Sequence, residues 1–316
     1  MNRLRLFVLA SLLVITGVKA QQLSLFTQYR EQAEVLNPAA LSTAYLAYEQ
    51  NVSFQAAYRK QWVDLKSGPV TQMISGSYLY DGSGVSLMAG GHLINDVTGP
   101  TAFTGLYGRL GGVISGDPYF GGIALAISGG AVQYRLKGSE IRLRESGDIL
   151  ENKSYSQLYP DVGVGLYAYQ RITAGREDVV IYGGISVPQI IGLDLSFKSE
   201  NGTFDIKRTQ HYYAMFGLYK FFSNDGFIEP SVWFKYTPGA PVNIDLNLKL
   251  QLAPNFYVGA GGSTAKAIHL ETGFVLGGLG YDNTFRVGYG FDYSFTSFGP
   301  YTGATHEINL SYSFER

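Results

Sequence analysis

Four histidines, His92, His211, His269 and His306, supply the imidazoles of a chain that contains no cysteine. No two stand at metal-ligand spacing, so the pattern predicts hydrogen-bonded side chains and no zinc site. The lack of cysteine removes disulfides, zinc-thiolate and iron–sulfur centres, and lipoprotein anchoring. Gly259 to Lys266 has the glycine richness of a phosphate loop. It lacks the terminal Gly-Lys-Ser/Thr and a following helix, however, and predicts a strand end and a turn. In Gly112-Val113-Ile114-Ser115-Gly116 the serine falls one place late for a nucleophile elbow. Since no nucleophile, base and orienting group converge on one rim, neither an enzyme nor a cofactor is expected. Two charged stretches remain. One spans 137–158, with Arg142, Arg144 and Glu145; the other spans 188–207, with Asp194, Lys198 and Asp205. Mixed signs of this kind suit discrimination among protein partners, which makes these six residues candidates for gripping an exported domain.

The elements that must carry these loops are strands. Val242 to Leu252 alternates without a break, Val242, Ile244, Leu246, Leu248, Leu250 and Leu252 on one face, Asn243, Asp245, Asn247, Lys249 and Gln251 on the other. About 9–11 residues is the length of a tilted strand across a bilayer. A one-residue slip would turn Lys249 into lipid, at a cost of roughly 2–4 kcal/mol near the midplane. A soluble sandwich strand would show the same alternation, so the rest of the chain must decide. Residues 1–20 carry Arg3 and Arg5, an apolar run from Leu6 to Val18 and a small-residue end, the pattern of a removable secretory leader. Without Arg3, Arg5 and Lys19 the chain keeps 21 basic against 25 acidic residues, a net of about −4 that argues against nucleic acid. The 40 glycines, 24 tyrosines and 19 phenylalanines, with no later membrane-helix run, point to an all-β outer-membrane barrel in contact with lipid.

Fourteen alternating stretches can be counted between residues 51 and 316. Connections after even-numbered stretches are short, while those at 137–158 and 188–207, after odd-numbered ones, are long. That sorting fits a barrel whose amino terminus faces the periplasm. Val52, Phe54, Ala56 and Tyr58 would face outward in the first strand, with Arg59 toward the lumen and Trp62 at the outer rim. Pro230 predicts a bulge or a strand starting beyond it. Residues 21–50 precede the barrel; 24–36 could form a helix ended by Pro38, and the whole segment is a candidate plug for the periplasmic mouth. A fourteen-strand lumen must be plugged or partly open.

The sequence resembles the PorP/SprF proteins of the type IX secretion system of Bacteroidetes. The resemblance is carried by Gln28-Tyr29 followed by Asn37-Pro38-Ala39, by Tyr58-Arg59 with Trp62, and by Gly99-Pro100-Thr101 with Gly105-Leu106-Tyr107. Gly163-Val164-Gly165-Leu166-Tyr167, His211-Tyr212-Tyr213 and Thr305-His306-Glu307-Ile308 continue it. It implies a non-enzymatic outer-membrane barrel that assists export and surface attachment of large adhesins through their C-terminal domain. Implied partners are the type IX translocon and periplasmic ring or peptidoglycan-binding proteins. Arg30-Glu31-Gln32-Ala33-Glu34 departs from the family's usual apolar run after Gln-Tyr. The alternative is a FadL-like passive channel for hydrophobic molecules, also fourteen-stranded and with a similar Asn-Pro-Ala hatch. Against it stand the polar inward residues of the strands near 242–252 and 304–314.

Overall fold

The computed structural model describes residues 26–138, 154–174, 177–191, 194–199, 202–207, 209–252, 255–278 and 280–316. The leader and Arg142, Arg144 and Glu145 lie outside the described residues. Sixteen strands follow in order: β1 (Val52–Lys60), β2 (Val70–Tyr80), β3 (Val85–Thr98), β4 (Thr101–Ile114), β5 (Gly121–Lys137), β6 (Ser154–Ala174), β7 (Glu177–Val187), β8 (Asp194–Ser199), β9 (Gly202–Lys207), β10 (Tyr212–Phe221), β11 (Phe227–Tyr236), β12 (Asn243–Leu252), β13 (Phe256–Ser263), β14 (Ala267–Gly277), β15 (Asn283–Ser294) and β16 (Thr305–Phe314). All but β8 and β9 join one closed antiparallel barrel, each strand beside its chain neighbour and β1 sealed against β16. β8 and β9 make a separate hairpin inside the long connection from β7 to β10, where the sequence predicts only a loop.

Following paired residues once around from Leu158 on β6 returns to the same strand at Ile172, an offset of 14 residues. An offset equal to the strand number means a tilt of about 35°. The alternation then does what a bilayer requires. Leu246, Leu248, Phe274 and Ile127 are 47–62% exposed on the outer face, whereas Asp245, Lys249, Glu229 and Glu307 are at most 1% exposed on the inner one. That inversion excludes a soluble sandwich, whose apolar residues would be the buried set. No helix among the described residues is long and apolar enough to cross a membrane; the crossing is made by strands. Short turns (81–84, 115–120, 222–226, 278–282) gather at one end, and the long connections (61–69, 138–153, 188–211, 295–304) at the other.

Two local expectations are corrected. β11 runs through Pro230 with no bulge: the pairings Gly217 with Ser231 and Lys220 with Ile228 share one register, and the two pairs between them are simply missing from the ladder. Proline removes one N–H, and the neighbouring strands hold the register without it. The helix expected over 24–36 is reduced to Ala33–Leu36, and a second follows at Thr43–Tyr48, where the Ser42 hydroxyl accepts from the Tyr45 N–H. The N–H groups of Thr27 and Gln28 are both given to the Glu307 carboxylate.

Candidate functional site in the filled lumen

Residues 26–50 run inside the barrel. At one extreme Thr27 donates its N–H to Glu307, third residue of β16; at the other Gln50 accepts from Ser313, next to the last. The segment therefore runs nearly the full height of the wall, from the long-loop end at Thr27 down to the short-turn end at Gln50. Its first half is polar and meets the charged side of the lumen. Arg30 pairs with Glu271 and lies 3.5 Å from Glu229. Glu31 binds Lys249 through one carboxylate oxygen and Arg286 through the other, both at 2.7 Å. Tyr257 donates to the Gln28 side chain at 2.9 Å, Asn247 donates to the Tyr29 hydroxyl at 2.5 Å, and Gln32 donates to Asn309 at 2.6 Å. Tyr29 also packs edge-on against Trp233, ring centroids 4.7 Å apart, with the Lys235 ammonium over its face.

Such pairs are costly to desolvate and costlier to break, since removing one partner leaves a buried charge uncompensated at about 3–5 kcal/mol. Burial disfavours each of these charges, and the opposite charges facing them across the lumen offset that cost.

The second half of the segment is apolar and docks on the opposite wall. Leu36, Ala39, Ala40, Leu41 and Leu46 are buried in a cluster with Met73, Met88, Tyr107 and Val113. Pro38 disfavours helical backbone at the residue before it, and Asn37 is extended. Its amide donates to the carbonyls of Leu166 and Ile185, and its oxygen accepts from Ala39 N–H at 3.0 Å. The carbonyls of Pro38 and Ala40 both accept from Arg109 at 2.9 Å. This close approach needs a wall without side chains: a Cβ on Gly165 or Gly184 would overlap the Asn37 amide. Gly165→Val is expected to weaken docking by about 1–3 kcal/mol, seen as a lower heat-modification midpoint in detergent, whereas an unchanged midpoint would contradict the contact.

Of the residues singled out from sequence, Tyr29, Asn37, Pro38, Asn247 and Lys249 come together in this one interface. Arg59 lies above it, paired with Asp292 at 2.9 Å and 3.6 Å from Glu307. Asp245 pairs with Lys235 instead, Asn243 sits at the rim with Ser263, and Trp62 is half-buried in a left-handed turn beside Thr305. Asp194 and Lys198 fall on β8 and Asp205 on β9, away from the lumen set. His269 bonds Asp292 and His306 bonds Tyr289; no metal-holding group of three or more His, Asp or Glu exists among the described residues. Glu229, Glu271, Arg286, Asp292 and Glu307 were the omissions. Their signal was a charge at an inward position of an alternating strand, matched by the unusual Arg30-Glu31.

A family model for the type IX secretion system membrane protein PorP/SprF matches residues 18–312. The chain belongs to the PorP/SprF family. Among curated proteins none matches it in sequence. Among solved structures it is similar to the CymD monoaromatic hydrocarbon channel, at 11% identity and TM-score 0.52, covering 90% of this chain and 93% of that one. The translocator domain of the autotransporter NalP from Neisseria meningitidis follows at 10% identity and TM-score 0.44, covering 100% and 95%. A Pseudomonas aeruginosa FadL homologue stands at 9% identity and TM-score 0.40, covering 84% and 89%. At 11% identity the likeness to CymD speaks for the fold alone, a closed β-barrel. As a PorP/SprF protein, the barrel is an outer-membrane component of type IX secretion.

Proposed function

We propose that this barrel assists export and surface attachment of large adhesins by binding their C-terminal domain at the long-loop end, without catalysing a reaction. Its short-turn end meets the translocon and periplasmic ring or peptidoglycan-binding proteins. Residues 1–20 serve as the export leader, and residues 26–50 close the lumen so that the outer membrane stays sealed. The observation that carries this reading is the lumen itself. The chain's own segment spans it, bonded to charged side chains on one wall and packed on the other, which supports closure of the lumen over passive passage of a hydrophobic solute. Family membership supplies the secretion context.

The test is a strain lacking this protein. Loss of surface adhesin with uptake of hydrophobic solutes intact would support the reading. Lost uptake with adhesin display intact would favour the channel. Gentle-detergent purification of the tagged barrel from native membranes should recover an adhesin C-terminal domain, and its absence would count against cargo binding.

A further inference from the structure

β1 turns Ser53, Gln55, Ala57 and Arg59 into the lumen, and Gln55 lies near the middle of the strand, opposite Ser311 on β16 and Ser75 on β2. Gln55 is 5% exposed, yet neither its amide oxygen nor its amide nitrogen has a hydrogen-bond partner. Two neighbours carry orphaned atoms as well. Gln32 of the lumen segment gives its amide nitrogen to Asn309 and leaves its oxygen unpaired. Arg286 on β15 directs its two terminal nitrogens to Glu31 and Ser311 and leaves Nε unpaired. Both residues are at most 3% exposed. Buried polar atoms are almost always hydrogen-bonded, so orphans gathered at one place call for a common partner.

Gln55, Gln32 and Arg286 line one small cavity between the segment and the wall, together with Glu31, Asn309 and Ser311. Its volume of about 10 Å³ open to the centre of a water matches the about 10–15 Å³ that one water needs, and a water also needs two to four polar partners. We propose that this cavity binds a single structural water, which donates to Gln32 Oε1, accepts from the Arg286 Nε–H and bonds one end of the Gln55 amide. The amide suits it in either orientation, since one end donates and the other accepts. Small ions fit the same lining less well. The Arg286 guanidinium repels a cation, and the Glu31 carboxylate with the Gln32 oxygen repels an anion. The water ties the segment to β1 beside the seam where β1 meets β16. This rests on the reading that residues 26–50 close the lumen.

The test compares two variants of the full-length barrel, purified in detergent, by the rate at which added protease cleaves residues 26–50. Gln55→Met fills the volume of the amide with apolar atoms, excludes the water and leaves Gln32 and Arg286 unpaired. Cleavage should rise about tenfold, the size of one good hydrogen bond. Gln55→Ala widens the cavity, so water still reaches both groups, and cleavage should stay within about twofold of the native rate. If Gln55 only fills space the order reverses, because Ala leaves a hole and Met does not. Cleavage of Gln55→Ala as fast as that of Gln55→Met, or of Gln55→Met no faster than native, would overturn the water. A crystal structure of the native full-length barrel covers the case in which a variant misfolds. One ordered peak is expected within about 2.7–3.2 Å of Gln32 Oε1 and Arg286 Nε. No peak, a direct bond from Gln55 to Gln32 or Arg286, or an anomalous signal there after bromide or rubidium soaking would overturn the proposal and leave closure standing. Ready cleavage of the segment in the native barrel would overturn both.

Discussion

Removal of residues 26–48 is expected to give a barrel that still inserts into planar bilayers but conducts ions on the order of tenfold more than the intact chain. The wall does not need the segment to close, because every barrel strand has both neighbours in the ladder and none of those pairings involves residues 26–48. What the deletion leaves behind is a lumen lined by Glu229, Glu271, Lys249, Arg286 and Glu307. Once the segment is gone these groups are hydrated rather than buried, so the desolvation that threatens unpaired charges in the filled barrel is relieved. The helix at Thr43–Tyr48 must go too, since Tyr48 donates to Gln251 and would still block the short-turn end. Conductance no higher than that of the intact chain would contradict closure by this segment.

The second large effect lies in one side chain. Glu31→Lys would set a third cation between Lys249 and Arg286, each 2.7 Å from a Glu31 oxygen in the native chain. Undocking of the segment is expected, at a cost of about 3–5 kcal/mol for the broken buried pairs. Protease access to residues 26–50 and a raised conductance would report it. Adding Lys249→Glu to Glu31→Lys restores the charge balance with the signs exchanged and should recover part of the docking, whereas Lys249→Glu alone should not. If the double variant is no better protected than Glu31→Lys, the contact is not the one that holds the segment.

The strands were legible from sequence because lipid outside and polar groups inside impose a two-residue period along the whole wall. Where the wall leaves the bilayer the period lapses and the expected ends move. β6 begins at Ser154 and β3 runs on to Thr98, both past the stretches where the alternation is clear. The β8–β9 hairpin alternates too, Leu195 and Phe197 opposite Ile206 and Phe204, but its six-residue strands are too short to mark a bilayer crossing. Nor could alternation reveal the lumen contacts. Glu31 and Arg286 are separated by 255 residues, and each alone looks like an ordinary inward or loop charge. Arg30-Glu31, which departs from the family's usual sequence, is accounted for by complementary charges on β11, β12, β14 and β15. Asn37-Pro38 was legible as a helix end; that its amide sits over Gly165 and Gly184 was not.

The central claim is that residues 26–50 lie within the barrel against β16 and its neighbours. The most direct test uses Gln32→Cys with Asn309→Cys, whose native side chains are 2.6 Å apart across the interface. In a chain with no native cysteine, a short thiol cross-linker applied to intact outer membranes should join this pair efficiently and leave Gln32→Cys with Ile127→Cys, on the outer face of β5, unjoined. Failure to join the first pair, or equal joining of both, would contradict it.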